Sequence, residues 1–124
     1  MGICLSRKKN NLFLDKLINK NIYFTITGNL YINIKIYFYT YIYFYKDFLH
    51  INNKKINKII NYYDIISWIY NSSTTSWIYF KITENEKLYL YKFYLYKCFY
   101  YKNTKNIVYN ISKLIYNNIN LKKI

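Results

Sequence analysis

The sequence predicts a mainly β chain with one closing helix (α+β in the broad sense): a small, partly open antiparallel barrel capped by an amphipathic C-terminal helix. Three observations carry this. Apolar residues recur at every second position in several short runs after residue 20; clusters of Gly, Asn, Ser, Thr and Glu separate those runs; and from Asn106 onward the apolar period lengthens to that of a helix. A chain of 124 residues holds one domain with a modest core.

Residues 10–20 carry Leu14, Leu17 and Ile18 at helical spacing, with Asp15, Lys16, Asn19 and Lys20 between them. This predicts a short amphipathic helix, suited equally to lying on a membrane or to packing on the domain. From Asn21 the period is two. Residues 21–27 read as a strand, and Thr27-Gly28-Asn29 as its turn, because Gly and Asn adopt positive φ most readily. In residues 31–37 Ile32, Ile34 and Ile36 share one face while Asn33 and Lys35 share the other, the alternation of a half-buried strand. Residues 39–45 continue the β-rich sequence, as the same strand or as its hairpin partner.

Residues 51–61 place Lys54, Lys55 and Lys58 among asparagines and read as an exposed loop. Strand signals resume at residues 64–70, Ser72 to Ser76 read as a turn, and residues 77–83 form a strand with Ile78, Phe80 and Ile82 on one face. Glu84-Asn85-Glu86 is the next turn. Residues 88–101 are a long aromatic strand pair or a single bent strand. Ile107, Val108, Ile111, Leu114, Ile115 and Ile119 then fall on one stripe of a helix over residues 104–120. Thr104 is its expected N-cap, and Lys113, Lys122 and Lys123 suit its C-terminal half.

Composition is skewed: 22 Ile, 19 Tyr, 18 Asn and 18 Lys, with no Ala, Gln or Pro. Such a vocabulary follows from AT-rich codons, so patterns weigh more here than percentages. Net charge is +14, which favours polyanionic partners, either an anionic membrane surface or nucleic acid. With 53% hydrophobic and 23% aromatic residues the chain has ample apolar surface to fold. Cys4 and Cys98 show neither disulfide nor zinc spacing. No stretch approaches the ~18 apolar residues of a membrane helix, which predicts no transmembrane span.

The first nine residues, Met-Gly-Ile-Cys-Leu-Ser-Arg-Lys-Lys, fit the N-myristoylation pattern, with Gly2 as acceptor and Ser6 in place. One myristoyl chain binds membranes only marginally, at roughly 10⁴ per molar, so a second signal is required. Cys4 supplies a palmitoylation site. Arg7, Lys8 and Lys9 each add about 1 kcal/mol of attraction to an anionic leaflet. Residues 1–20 therefore read as an acylated basic segment and residues 21–124 as the domain. The location expected is the cytosolic face of a peripheral membrane, where the sequons at Asn71 and Asn110 stay unglycosylated.

The run Trp77-Ile-Tyr-Phe-Lys-Ile82, a turn, Leu88-Tyr-Leu-Tyr-Lys-Phe-Tyr-Leu-Tyr-Lys-Cys98, and then Thr104 into the closing helix resembles the second half of a pleckstrin-homology domain. Together with the acylated N-terminus, the chain resembles the inner membrane complex sub-compartment proteins of apicomplexan parasites. That resemblance implies a pleckstrin-homology-like fold and a scaffold beneath the plasma membrane, with cytoskeletal or membrane-complex proteins as partners. Family helices carry a tryptophan into the barrel, where this helix offers Val108 and Ile111. Phosphoinositide-binding members pair a Lys with an Arg around the first hairpin, whereas Arg7 is the only arginine here, so the resemblance implies protein contacts rather than headgroup recognition.

Acid–base and nucleophilic chemistry has few candidates: His50 and five scattered acids, Asp15, Asp47, Asp64, Glu84 and Glu86. His50 near Asp47 is the only base-and-orienter pair, and a strand end accounts for both. Cys98 lies among Lys97, Phe99 and Lys102, and reads as strand filler. There is no phosphate-cradling glycine loop, and no cofactor or metal site is expected. The chain reads as a non-enzyme. The second reading is a basic, aromatic-rich barrel binding single-stranded nucleic acid through Tyr89-Leu-Tyr-Lys-Phe-Tyr-Leu-Tyr-Lys97. It ranks behind the membrane scaffold, because acylation tethers the chain away from most nucleic acid.

Overall fold

Period-two alternation drives seven strands into one antiparallel sheet, which curls into a half-barrel against a C-terminal helix. The computed structural model describes residues 21–72, 76–96 and 104–123. The strands are β1 (Phe24–Ile32), β2 (Lys35–Phe44), β3 (Phe48–Asn52), β4 (Asn57–Asn61), β5 (Ile65–Asn71), β6 (Trp77–Glu84) and β7 (Lys87–Leu95). A 3₁₀ turn, Tyr62–Asp64, precedes β5, and helix α1 spans Thr104–Lys123. Spatial order is β4-β3-β2-β1-β7-β6-β5, so β1 joins a four-stranded and a three-stranded meander at the centre.

The inner face is apolar. Ile26 and Leu30 of β1, Ile78, Phe80 and Ile82 of β6, and Tyr91 and Phe93 of β7 are all buried, as β6 alternation predicts. Helix α1 closes this face with Val108, Ile111, Ile115 and Ile119, matching the expected stripe. Trp68 of β5 ties the two layers together. Its ring stacks on Phe80 at 5.3 Å and meets Phe44 edge-on. Its indole N–H donates to Ser112 Oγ at 2.9 Å, that hydroxyl donates to Val108 O, and Tyr116 OH donates to Trp68 O at 2.9 Å. Helix α1 begins at Thr104, but the cap geometry expected there involves side chains outside the described residues.

Three expectations need correction. Gly28 is not a turn: it lies buried within β1, paired with Thr40 and Leu95. A Cβ built there would sit 2.1 Å from Tyr94 O, so glycine is required for backbone approach rather than for positive φ. The first turn falls instead at Asn33-Ile34, inside the strand expected over residues 31–37. Asn33 takes φ 54°, and its N–H and side-chain oxygen bond Leu90 O and N, each at 2.9 Å. The stretch from Lys35 onward is then the hairpin partner of β1.

Residues 51–61 are not a loop either. Ile51 and Ile60 are fully or almost fully buried, and the segment holds the end of β3, a short turn and β4. Asparagine occupies outward positions and the turn, where Asn53 accepts from Lys55 N at 2.8 Å, while Lys58 points to the inner side beside Ile51 and reaches Glu84. The turn at Glu84–Glu86 falls where expected. Asn85 and Glu86 both have positive φ in the two-residue β6–β7 hairpin, and β5 and β6 flank residues 72–76, of which 73–75 lie outside the described ones. Of residues 88–101, those up to Leu95 form one strand, β7, and residues 97–101 lie outside the described set.

Gly28→Ala should therefore destabilise the domain by about 1–3 kcal/mol, since the added methyl has only backbone to displace. Urea unfolding checks this, and an unchanged midpoint would refute the close-approach assignment.

Candidate functional surfaces

The strand directions bring the β1–β2, β3–β4 and β6–β7 hairpins to one end of the half-barrel, opposite the end where the chain enters β1. Side chains stitch that end together. Asn53 donates to Phe38 O and to Thr40 Oγ1, and Lys58 of β4 reaches Glu84 of β6 in an ion pair. Burial alone would lower the Lys58 ammonium, but the Glu84 carboxylate and the Tyr91 hydroxyl together outweigh it and hold the group above the ordinary lysine value. Lys35, Lys54, Lys55 and Lys87 are exposed around the same end, against Glu84 and Glu86.

Apolar side chains stand among these lysines. Ile34 at the hairpin tip is 97% exposed, Phe38 59% and Tyr39 75%, with Ile36, Tyr41 and Leu88 also in solvent. A β-bulge accounts for the centre of this patch. Gly28 pairs with Thr40 and Leu30 with Tyr37, so Phe38 and Tyr39 together oppose Asn29. Tyr39 sits at φ 52°, a conformation costing a bulky residue roughly 1–3 kcal/mol. The bulge is fixed by Tyr96, whose hydroxyl accepts from Tyr39 N at 3.3 Å and donates to Asn29 Oδ1.

A second surface covers the convex face of β1, β7 and β6. Outward residues in register place Tyr31 beside Lys92 and Lys92 beside Tyr79, with Asn29, Tyr94 and Trp77 in the adjoining row. Tyr94 meets Tyr31 edge-on at 5.5 Å, Tyr79 stacks on Trp77 at 4.1 Å, and the Lys92 ammonium lies 5.4 Å from the Tyr79 ring centre. The Tyr79 and Tyr94 hydroxyls are 2.7 Å apart. That bond first, and burial second, push Tyr94 up to about 12. The aromatic run of β7 thus divides: Tyr91 and Phe93 enter the core while Lys92 and Tyr94 face outward.

Gly2, Cys4, Arg7, Lys8, Lys9, the segment 10–20 and Cys98 all lie outside the described residues. His50 and Asp47 are not brought together as a catalytic pair. Asp47 is exposed in the β2–β3 turn, whereas the His50 ring is buried, tilted against Tyr43 at 5.7 Å and bonded to Asn57 Oδ1. Among the described residues no group of three or more His, Cys, Asp or Glu is placed to hold a metal ion. Nor is any helix among them long and apolar enough to cross a membrane. No protein-family model matches the chain, and no curated protein is significantly similar to it.

Two measurements probe this geometry. Tyr39→Gly removes a large side chain yet should leave the urea midpoint at or above that of the parent. Relief of the positive-φ strain, about 1–2 kcal/mol, offsets a lost edge contact with Tyr96 of about 0.5–1.5 kcal/mol. Burial lowers the His50 pKa below its ordinary 6.5, with the Asn57 bond opposing. Its contribution to stability is therefore complete above about pH 6.5 and declines as pH falls below it. His50→Gln should flatten that decline in urea midpoints measured from pH 7.5 to 5.

Proposed function

We propose that this protein is a membrane-anchored, non-catalytic scaffold: a pleckstrin-homology-like domain held by N-myristoyl and S-palmitoyl groups that organises a membrane–cytoskeleton sub-compartment through protein contacts. The observation that carries the reading is the strained bulge of β2. A chain that spends stability to hold Phe38 and Tyr39 in solvent, beside exposed Ile34 and Ile36, carries a contact surface rather than a neutral exterior. The surrounding lysines suit the anionic leaflet to which the N-terminal signals would bring the chain.

The pleckstrin-homology-like assignment is supported by seven consecutive antiparallel strands closed by a single C-terminal helix. The helix departs from the family in carrying no tryptophan, and its contact with the sheet is made instead by Trp68 of β5, whose indole N–H donates to Ser112. Lys35, Lys54, Lys55 and Lys58 supply charge at the hairpin end but no guanidinium, and Lys58 is engaged by Glu84, which favours protein contacts over phosphoinositide headgroup recognition. By the resemblance to apicomplexan inner membrane complex proteins, the compartment would be that complex or the plasma membrane above it.

Dual acylation makes release slow, at roughly 0.8 kcal/mol per buried methylene. In a full chain tagged at its C-terminus, Gly2→Ala should remove both lipids and turn the protein cytosolic. Cys4→Ser should leave reversible binding spread over several internal membranes. Phe38→Asp should keep the membrane location while releasing the protein from the detergent-resistant cytoskeletal pellet. A Gly2→Ala protein that stays at the periphery refutes the anchoring mechanism, and a Phe38→Asp protein that stays in the pellet refutes the contact surface.

A further inference from the structure

We propose that the convex face of β1, β7 and β6 is a binding site for single-stranded nucleic acid, whose bases stack on Trp77, Tyr79 and Tyr94 while Lys92 and Lys81 engage the phosphates. The site does not rest on the acylated anchor, and it borders the bulge of β2 along β1, where Asn29 opposes Phe38 and Tyr39 and Tyr31 pairs with Ile36.

Three features of the face point to this ligand. Its rings are clustered and held in place. The Tyr79–Tyr94 hydroxyl pair, the Trp77–Tyr79 stack and the Tyr31–Tyr94 edge contact fix four aromatic side chains, all half-buried, across three neighbouring strands. Fixed rings accept a base with little loss of side-chain entropy. Cations are interleaved with the rings: Lys92 lies within the array against Tyr79, and Lys81 projects from the same side of β6 two residues beyond Tyr79. Among the described residues no acid stands on the face. The four acidic residues among the described ones lie elsewhere, Asp47 and Asp64 in connecting turns and Glu84 and Glu86 at the β6–β7 hairpin.

The chemistry favours a nucleic acid over a protein partner because the face alternates π-surface and ammonium, with exposed aliphatic residues only flanking the Tyr31–Lys92–Tyr79 row, at Ile36 of β2 and Ile69 of β5. Single strands are favoured over duplex because only unpaired bases expose their faces to rings on an open sheet. Stacking contributes about 1–3 kcal/mol per base and is indifferent to base identity, so recognition should be sequence-tolerant. Backbone contacts make it strongly salt-dependent.

The test uses the unacylated full chain and a labelled 12-nucleotide oligo-U RNA, followed by fluorescence anisotropy at 150 mM salt. The single strand should bind at least about tenfold more tightly than a duplex of equal length. Tyr79→Leu and Tyr94→Leu should each weaken binding about tenfold. Lys92→Ala should lower the slope of log affinity against log salt by about one. The double change Lys54→Ala and Lys55→Ala, which removes more charge from the hairpin end, should cost less than Lys92→Ala alone. Because the leucine variants could disturb the sheet, a conservative change supplies a separate readout: RNA should quench tryptophan emission in the parent but not in Trp77→Phe, whose remaining Trp68 is buried. Equal affinity for duplex, quenching that persists in Trp77→Phe, or a larger loss from Lys54 and Lys55 than from Lys92 would overturn the proposal in favour of diffuse charge. No binding overturns it outright. Binding of anionic vesicles with the same dependence on Tyr79 and Tyr94, and none of RNA, would reassign the face to the membrane.

Discussion

The fold depends on how Trp68 is held. An amphipathic helix pressed on a curled sheet by isoleucines alone could rotate or slide, because dispersion and burial carry little direction. Ser112 and Tyr116 stand one turn apart on α1 and bracket a single residue of β5, one receiving its indole N–H and the other donating to its carbonyl. These bonds fix the rotation and height of the helix. Buried polar groups raise the stakes, since a buried indole N–H without a partner costs about 1–3 kcal/mol. Phe44 and Phe80 of the inner face pack against a ring whose position is set by this contact.

With the concave face satisfied, the functional information lies outside it, on two surfaces of different chemistry. The hairpin end combines aliphatic and aromatic side chains with a fringe of lysines, and owes its shape to an irregularity in β2. The convex face owes its shape to regularity: unbroken pairing of β1, β7 and β6 sets Lys92 between Tyr31 and Tyr79, and Tyr94 beside Trp77, in register. One is suited to burying area against a partner, the other to receiving flat groups between charges. The two meet along β1, where Tyr31 pairs with Ile36 and Asn29 opposes the bulge, so a single small domain presents both side by side.

The period-two and helical patterns made the general architecture legible, and β6 and α1 emerged with the expected buried faces. What the sequence concealed has physical causes. Gly28 looked like a turn because positive φ is the commonest reason for glycine, yet here the need is room for Tyr94 O. The β3–β4 hairpin looked like a loop because asparagine fills its outward positions and lysine its turn, while the ion pair that draws Lys58 inward joins it to Glu84, remote in sequence. The bulge at Phe38 and Tyr39 had no signal, since its left-handed residue is a tyrosine and its stabilising bond comes from Tyr96, remote in sequence. The convex face was half legible. Aromatic residues alternating with lysines along β7 marked it, but its partners Tyr31 and Trp77 become neighbours only through strand pairing.

That pairing also dictates the order in which the molecule can assemble. The central seam joins Ile32 to Tyr91 and Gly28 to Leu95, residues about sixty positions apart, so β1 waits for nearly the whole chain before its second edge is filled. Until then β1 and β2 form a hairpin rich in isoleucine and tyrosine with a free edge, in a sequence without a single proline to blunt it. During synthesis the hairpin is exposed while β7 is still being made, and its self-association competes with folding. The interval between completion of β2 and arrival of β7 is thus the stage at which this edge is open to a second chain.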